Sequence, residues 1–299
     1  DIMIQFKNSN QMKAFMKKES VRLNMDIRNI YTTFVARCIL ERLSRSAEDK
    51  ILIKGSSAEL AYLGRCVRAI TDIDIAVTTI LEERINLITS ILTDRHSDIL
   101  DLKLAKGIFR TPTGIYKLSM EACFDKIRQP IGMDIQENYS RLIEPEYRMM
   151  PPIFEGDEPF PIYVTSFEEY LAEKLCIIVE SDKEDVPNTR VKDFYDIYQL
   201  HGGKYDSDKL TKYFKMMLEL RGKTTMENIR TLRLNSDFIN KHSDIWDKTK
   251  LKYDFMDDEI DLDGAVYYTR AVIRDLLQRN GMDMHDNIAH QNKRKVYKI

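Results

Sequence analysis

The sequence predicts a mixed α/β fold, a sheet flanked by helices, followed by a mostly helical C-terminal unit. Two segments carry this prediction. Residues 51–54 form a short apolar run that ends at Gly55, and residues 71–77 alternate polar and apolar side chains. The first pattern is typical of a buried strand and the second of a strand with one solvated face. Helical spacing returns between and after them, so strands and helices are interleaved along the first half of the chain.

The remaining elements follow the same patterns. Residues 10–46 carry apolar positions at helical spacing, and residues 56–64 form a short helix with serine at its start and glycine at its end. Residues 81–92 return to a helical period. Two further strands are predicted at residues 115–123 and 131–135, with a turn around 126–130 between them.

Five of the eight prolines lie between residues 145 and 161, which predicts an extended connection between two units. Ser166 followed by Glu169 is a capping-box pattern, and it predicts a helix that continues to about residue 179. We therefore divide the chain into a core at residues 1–155 and a mostly helical domain at residues 156–299.

Composition excludes several classes of protein. The chain has 299 residues, of which 43% are hydrophobic and 31% charged, with only 11 glycines, so it is neither fibrous nor disordered. No charge-free stretch exceeds nine residues, whereas a membrane span needs about 20. The first twenty residues lack the apolar core of a secretory signal, so we expect a cytoplasmic protein without a membrane partner.

Charge and cysteine content give two further expectations. The net charge of −2 provides no general basic field, so any polynucleotide must be bound by a local patch. The four cysteines lie far apart, without the spacing of a zinc site, and we expect reduced core thiols. They are Cys38, Cys66, Cys123 and Cys176.

Asp72 and Asp74 are the first candidate site residues. Side chains alternate along a strand, so both carboxylates point to one face while Ile73 points into the core. Carboxylate oxygens are ligands that Mg²⁺ prefers, with substrate phosphates completing the shell. Two other Asp-x-Asp pairs, at 206/208 and 261/263, lie in polar surroundings and are expected to be solvated.

Gly55, Ser56 and Ser57 form the second candidate element, a turn that joins the first strand to the following helix. Glycine lets the backbone approach a ligand, and a helix N-terminus directs N–H groups at an anion. This arrangement predicts a phosphate-binding loop. The alternative is an ordinary capped helix.

Asp134 is the third candidate acid. It lies within the apolar segment at residues 131–135, where a carboxylate is costly unless it is paired or bound to a metal. If this strand lies beside that of Asp72 and Asp74, the three acids can hold metal ions, and Asp134 can help to deprotonate an attacking hydroxyl. The alternative is a surface aspartate on an edge strand.

The order of these elements resembles the polymerase-β-like nucleotidyltransferase superfamily. Downstream, residues 170–175 (Tyr-Leu-Ala-Glu-Lys-Leu) and 190–197 (Arg-Val-Lys-Asp-Phe-Tyr-Asp-Ile) resemble the paired C-terminal signatures of the AbiEii/AbiGii-type toxin nucleotidyltransferases. That family usually has Gly-Gly-Thr in the first loop and an aromatic residue after the arginine that precedes the acids. Here the loop is Gly-Ser-Ser, and Ala69 follows Arg68. The similarity covers about residues 30–200.

The resemblance implies a nucleotidyltransferase-type fold and transfer of a nucleoside monophosphate from an NTP to a hydroxyl, with Mg²⁺ or Mn²⁺ as cofactor. It implies that Lys174 contacts the triphosphate and that Lys192 and Asp193 complete the catalytic site from the second unit. The positive charges of Arg190 and Lys192 suit further phosphate contacts. Asp193 and Asp196 also fit surface acids or local partners of the neighbouring cations.

The resemblance further implies a toxin of a toxin–antitoxin or phage-defence pair, which modifies an RNA such as tRNA and is restrained by a cognate antitoxin. Two alternatives stay open. One is an enzyme that modifies a small molecule such as an antibiotic, and the other is a nucleotide-binding module without turnover. Residues 290–299 carry four basic groups and fit either a frayed tail or an RNA-phosphate contact.

Overall fold

The structure, a computed structural model, describes residues 4–45, 51–77, 81–94, 99–112, 114–137, 145–182, 190–253 and 256–285. The basic segment at residues 290–299 lies outside them. The elements are, in chain order, α1 (Ser9–Leu23), α2 (Ile27–Arg45), β1 (Ile51–Lys54), α3 (Gly55–Leu63), β2 (Asp72–Val77), α4 (Leu81–Thr93), β3 (Asp101–Leu104), β4 (Phe109–Arg110), β5 (Tyr116–Phe124), β6 (Ile127–Glu137), β7 (Glu146–Met150), β8 (Phe160–Val164), α5 (Phe167–Ser181), α6 (Val191–Gln199), α7 (Ser207–Arg221), α8 (Met226–Ile229), α9 (Ser236–Lys252) and α10 (Leu262–Arg279).

The strands form one mixed sheet in the order β3-β5-β6-β2-β1-β8-β7, with β4 paired to the free edge of β5 beside β3. The pairs β2·β6 and β1·β8 are parallel, and the other pairs are antiparallel. This confirms the predicted mixed α/β fold. Parallel pairing requires a crossover connection, which α3, α4 and the intervening strands provide.

The sheet has one apolar face. Ile73 and Ile75 of β2 and Ile131, Met133 and Ile135 of β6 are buried, and α2 and α4 pack on the sheet. Because side chains alternate along each strand, Asp72, Asp74, Gly132 and Asp134 lie on the opposite face, where they are half-buried or exposed, whereas Ala76 further along β2 is buried. The fold therefore separates a hydrophobic core from a polar face that remains accessible.

The chain divides into two compact units. The first comprises residues 1–170, 202–205 and 250–258, and the second comprises residues 171–201, 206–249 and 259–299. The second unit is helical, with Trp246 buried against Tyr195 and with Phe194 packed against Phe238. Strand β8 pairs with β1, so the first unit extends beyond the predicted boundary at residue 155.

Three local expectations are corrected. The proline-rich segment is not only a connection, because β7 and β8 form an antiparallel pair within it. The turn predicted around 126–130 is shorter, because Pro130 already lies in β6, opposite Glu121. Strand β2 does not pair with β6 at this point, so the N–H that proline lacks is not needed there. Cys38 and Cys176 are buried as expected, whereas Cys66 and Cys123 are half-buried.

Within the described part of the chain, no helix has the length and apolar character needed to cross a membrane.

Candidate active site

The predicted carboxylates meet on the polar face of the sheet. Strands β2 and β6 run parallel with Asp74 directly opposite Asp134, while Asp72 lies opposite Gly132. Paired residues on adjacent strands project to the same face, about 5 Å apart. Because β6 lies between β5 and β2, Asp134 is not on an edge strand, and the alternative of an edge-strand surface aspartate is wrong.

This pairing continues across neighbouring strands. Lys54, the last residue of β1, lies opposite Asp74, and Lys117 of β5 lies opposite Asp134. The Nζ atom of Lys117 donates to Oδ2 of Asp134 at 2.6 Å. Four charged residues from four adjacent strands thus form one row, which we call the charged row: Lys117, Asp134, Asp74 and Lys54.

Gly55 places the predicted phosphate loop against this row. Its φ of +60° is in the left-handed region, which favours glycine. A Cβ atom at this position would overlap the carboxylate of Asp74, with the Cγ and Cβ atoms of Asp74 only 3.1 and 3.3 Å away. Glycine is therefore required twice, by the backbone conformation and by the close approach of the acid.

Helix α3 begins directly after the strand, with its N-terminus beside Asp74. The N-cap residue, Lys54, makes no side-chain capping hydrogen bond. The Oγ atoms of Ser56 and Ser57 are buried and have no hydrogen-bond partner among the described atoms. Unpaired N–H groups at a helix N-terminus attract anions. The loop therefore combines a helix N-terminus with two buried hydroxyls that have no partner among the described atoms.

Carboxylates are suitable ligands for a divalent cation, but in the present arrangement Asp134 bonds to Lys117. Among the described residues, no group of three or more His, Cys, Asp or Glu side chains is placed to hold a metal ion. Asp134 is directed to Lys117, so the predicted three-acid set is not assembled. Asp72 and Asp74 remain on one face, and two carboxylates with substrate phosphates are a donor set that suits Mg²⁺.

Arg68, the arginine that precedes the acids in the sequence motif, is buried against α3 and does not lie on the polar face. Arg68 is buried, with Nη1 3.6 Å from Oε2 of Glu59 on α3. The hydroxyl of Tyr170 donates to the same Glu59 oxygen at 3.1 Å. Sequence reasoning missed Glu59, whose signal was an acid within the apolar run of the short helix. These contacts fix α3, and with it the phosphate loop.

The four predicted residues of the downstream signatures form a separate network within the second unit. Lys174 donates to Asp193 at 2.7 Å and to Asp196 at 2.8 Å. Arg190 donates to Asp193 at 2.7 Å, and Lys192 lies 3.5 Å from Asp196. Both aspartates are fully buried, so the surface alternative is wrong, and they are partners of the neighbouring cations.

This network fixes the charge of Lys174. Burial alone would lower the pKa of Lys174, but the carboxylates of Asp196 and Asp193 and their hydrogen bonds raise it well above its usual range. The ammonium is therefore held in its protonated form and has two carboxylate partners in the absence of any ligand.

Two solved structures resemble this chain over most of its length. A solved structure of MenT4, a nucleotidyltransferase toxin from Mycobacterium tuberculosis H37Rv, has a TM-score of 0.55 and 15% identity, covering 88% of this chain and 97% of that one. This likeness shows the nucleotidyltransferase fold. JHP933 from Helicobacter pylori matches at TM-score 0.45 and 16% identity, covering 84% of this chain and 92% of that one, and supports no conclusion of its own.

Residues 38–274 match the family profile "Nucleotidyl transferase AbiEii toxin, Type IV TA system". The chain therefore belongs to the AbiEii family of nucleotidyltransferase toxins of type IV toxin–antitoxin systems, as the resemblance implied. Membership makes it a nucleotidyltransferase with an NTP substrate and an antitoxin partner. No curated protein sequence matches it significantly.

Proposed function

We propose that this chain transfers a nucleoside monophosphate from an NTP to a hydroxyl of an RNA such as tRNA, with Mg²⁺ as cofactor, in the cytoplasm and as a phage-defence toxin restrained by its antitoxin. The observation that carries the placement of the reaction is the contact between Gly55 and Asp74. It brings an anion-binding helix terminus against a pair of carboxylates, which are the two parts that nucleotidyl transfer requires.

The residues divide the work as follows. The N-terminus of α3 and the hydroxyls of Ser56 and Ser57 bind the triphosphate of the NTP. The acceptor hydroxyl gives its proton to the carboxylate of Asp134. The oxygen of the acceptor hydroxyl then forms a bond to the α-phosphorus of the NTP. The bond between the α-phosphorus and the α,β-bridging oxygen breaks, and pyrophosphate leaves.

Asp72 and Asp74 are the residues that would hold Mg²⁺. When bound, the ion supplies charge neutralisation for the triphosphate and the developing negative charge. Mn²⁺ prefers similar oxygen ligands and is expected to substitute. The close packing of Gly55 on Asp74 positions this carboxylate relative to the loop.

The resemblance assigns Lys174 to the nucleotide and Lys192 and Asp193 to the completed site, and the charge of Arg190 adds a phosphate contact. We keep these assignments as predictions. Their hydrogen bonds and ion pairs with one another and with Asp196 support a rigid arrangement of these side chains. A rigid arrangement is the condition under which a cation can position a phosphate.

Incubation of the protein with Mg²⁺, each α-labelled NTP in turn and total RNA tests the proposal. We expect label on RNA with the wild type and a loss of at least about 10²-fold with Asp74→Ala. Asp101→Ala, which removes an exposed strand aspartate of β3, is the matched control and should keep the wild-type rate. Full activity of Asp74→Ala would contradict the site.

An acceptor other than RNA gives a different result in the same experiment. If NTP is consumed with Asp74-dependent kinetics but RNA stays unlabelled, the small-molecule alternative replaces the RNA acceptor. If NTP binds without turnover, the chain is a nucleotide-binding module.

A further inference from the structure

We propose that Phe109 and Lys117 form the acceptor subsite, which binds the terminal nucleotide of a single-stranded RNA beside Asp134. This inference rests on the proposed transfer to RNA and adds the residues that receive that RNA. Neither residue stood out in the sequence, because their significance depends on strand pairing.

Strand pairing extends the charged row by one residue. Phe109 of β4 lies opposite Lys117, so the order across the sheet is Phe109, Lys117, Asp134, Asp74 and Lys54. Paired residues share a face, which places the ring of Phe109 on the same polar face as the carboxylates. The phosphate loop lies at one end of this row and an aromatic ring at the other.

The exposure of both residues is suited to a ligand. Phe109 is 60% exposed, although apolar rings of this size are usually buried. The side chain of Lys117 is 51% exposed, so its ammonium can reach a phosphate oxygen while it is bonded to Asp134. The adjacent Arg110 lies opposite Tyr116, on the other face of the strand pair.

The chemistry of an exposed ring beside an ammonium favours single-stranded nucleic acid. Bases stack on aromatic side chains irrespective of sequence, and lysine binds the backbone phosphate. Adjacent strands are about 4.8 Å apart, so Phe109 is roughly 10 Å from Asp134, a span comparable with one nucleotide. A base on Phe109 and a phosphate on Lys117 would therefore bring the terminal hydroxyl to Asp134.

The first test separates acceptor binding from NTP binding. With total RNA as acceptor, we expect Phe109→Ala to raise the KM for RNA roughly tenfold, as loss of one stacked base does, and to leave the KM for NTP unchanged. Phe109→Trp should restore the low KM, whereas Phe109→Leu should not. Arg110→Met and Tyr267→Ala are matched controls, an opposite-face cation and an exposed ring of the second unit, and should behave as the wild type.

The second test needs no turnover. In EDTA, the affinity for a fluorescein-labelled, mixed-sequence RNA hexamer should fall for Phe109→Ala and Lys117→Met but not for Arg110→Met. Equal hexamer affinity of Phe109→Ala and the wild type, or no hexamer binding by the wild type, overturns the subsite. An unchanged KM for RNA in Phe109→Ala, in an enzyme whose transfer still depends on Asp74, also overturns the subsite but leaves the proposed function intact. Phe109-dependent hexamer binding without any transfer overturns the proposed function and, with it, the acceptor role of these two residues, and leaves Phe109 as an RNA contact only.

Discussion

Buried polar groups lack described partners in the phosphate loop of the first unit but are fully bonded in the lysine–aspartate network of the second unit. In the loop, the buried hydroxyls of Ser56 and Ser57 have no partner among the described atoms. They follow Gly55, whose backbone is in the left-handed region. In the network, Lys174 already bonds to Asp193 and Asp196. The loop thus holds polar atoms without a described partner, whereas the network pairs its cation with two carboxylates.

This difference teaches which substitutions should affect chemistry and which should affect folding. Unsatisfied buried groups cost free energy that a ligand recovers on binding. Removing one partner of a buried ion pair leaves the other charge uncompensated and destabilises the fold.

The largest effect is expected from Asp196→Ala. It removes one of the two carboxylates on buried Lys174, which keeps its bond to Asp193, and should lower the free energy of unfolding by about 1.5–3 kcal/mol, the contribution of a hydrogen bond to a charged group. Urea denaturation followed by circular dichroism measures this. Asp244→Ala, an exposed helical aspartate of α9 in the same unit, should change stability by less than about 0.5 kcal/mol. A loss below about 1 kcal/mol for Asp196→Ala would contradict a structural network.

The next effect compares two glycines of one helix. Gly55 and Gly64 have φ of +60° and +64°, but a Cβ at Gly64 meets nothing within 4 Å. Alanine at either position should cost about 1–2 kcal/mol of stability through backbone strain. Only Gly55→Ala displaces Asp74, and it should slow transfer roughly 10²-fold in a steady-state assay. Similar rates for the two variants would contradict the contact between loop and acid.

A smaller effect is expected from Ser57→Ala. It deletes a buried hydroxyl without a described partner, so thermal stability should be kept or slightly increased, while the KM for NTP rises about tenfold through loss of a bond to a charged phosphate. Ser166→Ala is the control. Its Oγ accepts the N–H of Glu169, so this variant should lose about 1 kcal/mol of stability with an unchanged KM. A Ser57→Ala enzyme with wild-type KM and reduced stability would contradict the ligand role.

The smallest effect concerns the reactivity of Lys174. Its raised pKa leaves less free amine at any given pH, so acetylation at pH 8–9 should be several-fold slower at Lys174 than at exposed Lys209 of α7. Peptide mass spectrometry measures both rates in one sample. Further protection of Lys174 by NTP would support the nucleotide contact that the resemblance implies, and equal rates at the two lysines would contradict the network.

Local patterns were sufficient for the elements that carry the loop and the first acids. Strand β1 begins and ends where its apolar run does, β2 differs by one residue from the prediction, and Gly64 ends α3 in the left-handed conformation. The Ser166 cap also forms as predicted. Each of these depends on side-chain period or on residues within one helical turn.

Features that depend on pairing between distant segments were beyond the sequence. Strand β4 has two residues, too few for an alternating pattern, so Phe109 carried no signal. The bond between Lys117 and Asp134 depends on the register of β5 and β6, and the bonds of Lys174 depend on how two helices pack. The spacing of residues along the chain predicts neither the contact of Lys117 nor those of Lys174.

The most direct test of the account is a paired measurement on Asp74→Asn, which keeps the size of the side chain and removes its charge. We expect transfer from NTP to fall at least about 10²-fold, while the protein stays folded at the assay temperature, because asparagine keeps the size of the side chain that packs against Gly55 and removes only its charge. An enzyme that retains its rate, or that loses activity only because it unfolds, would contradict a catalytic site on the polar face of this sheet.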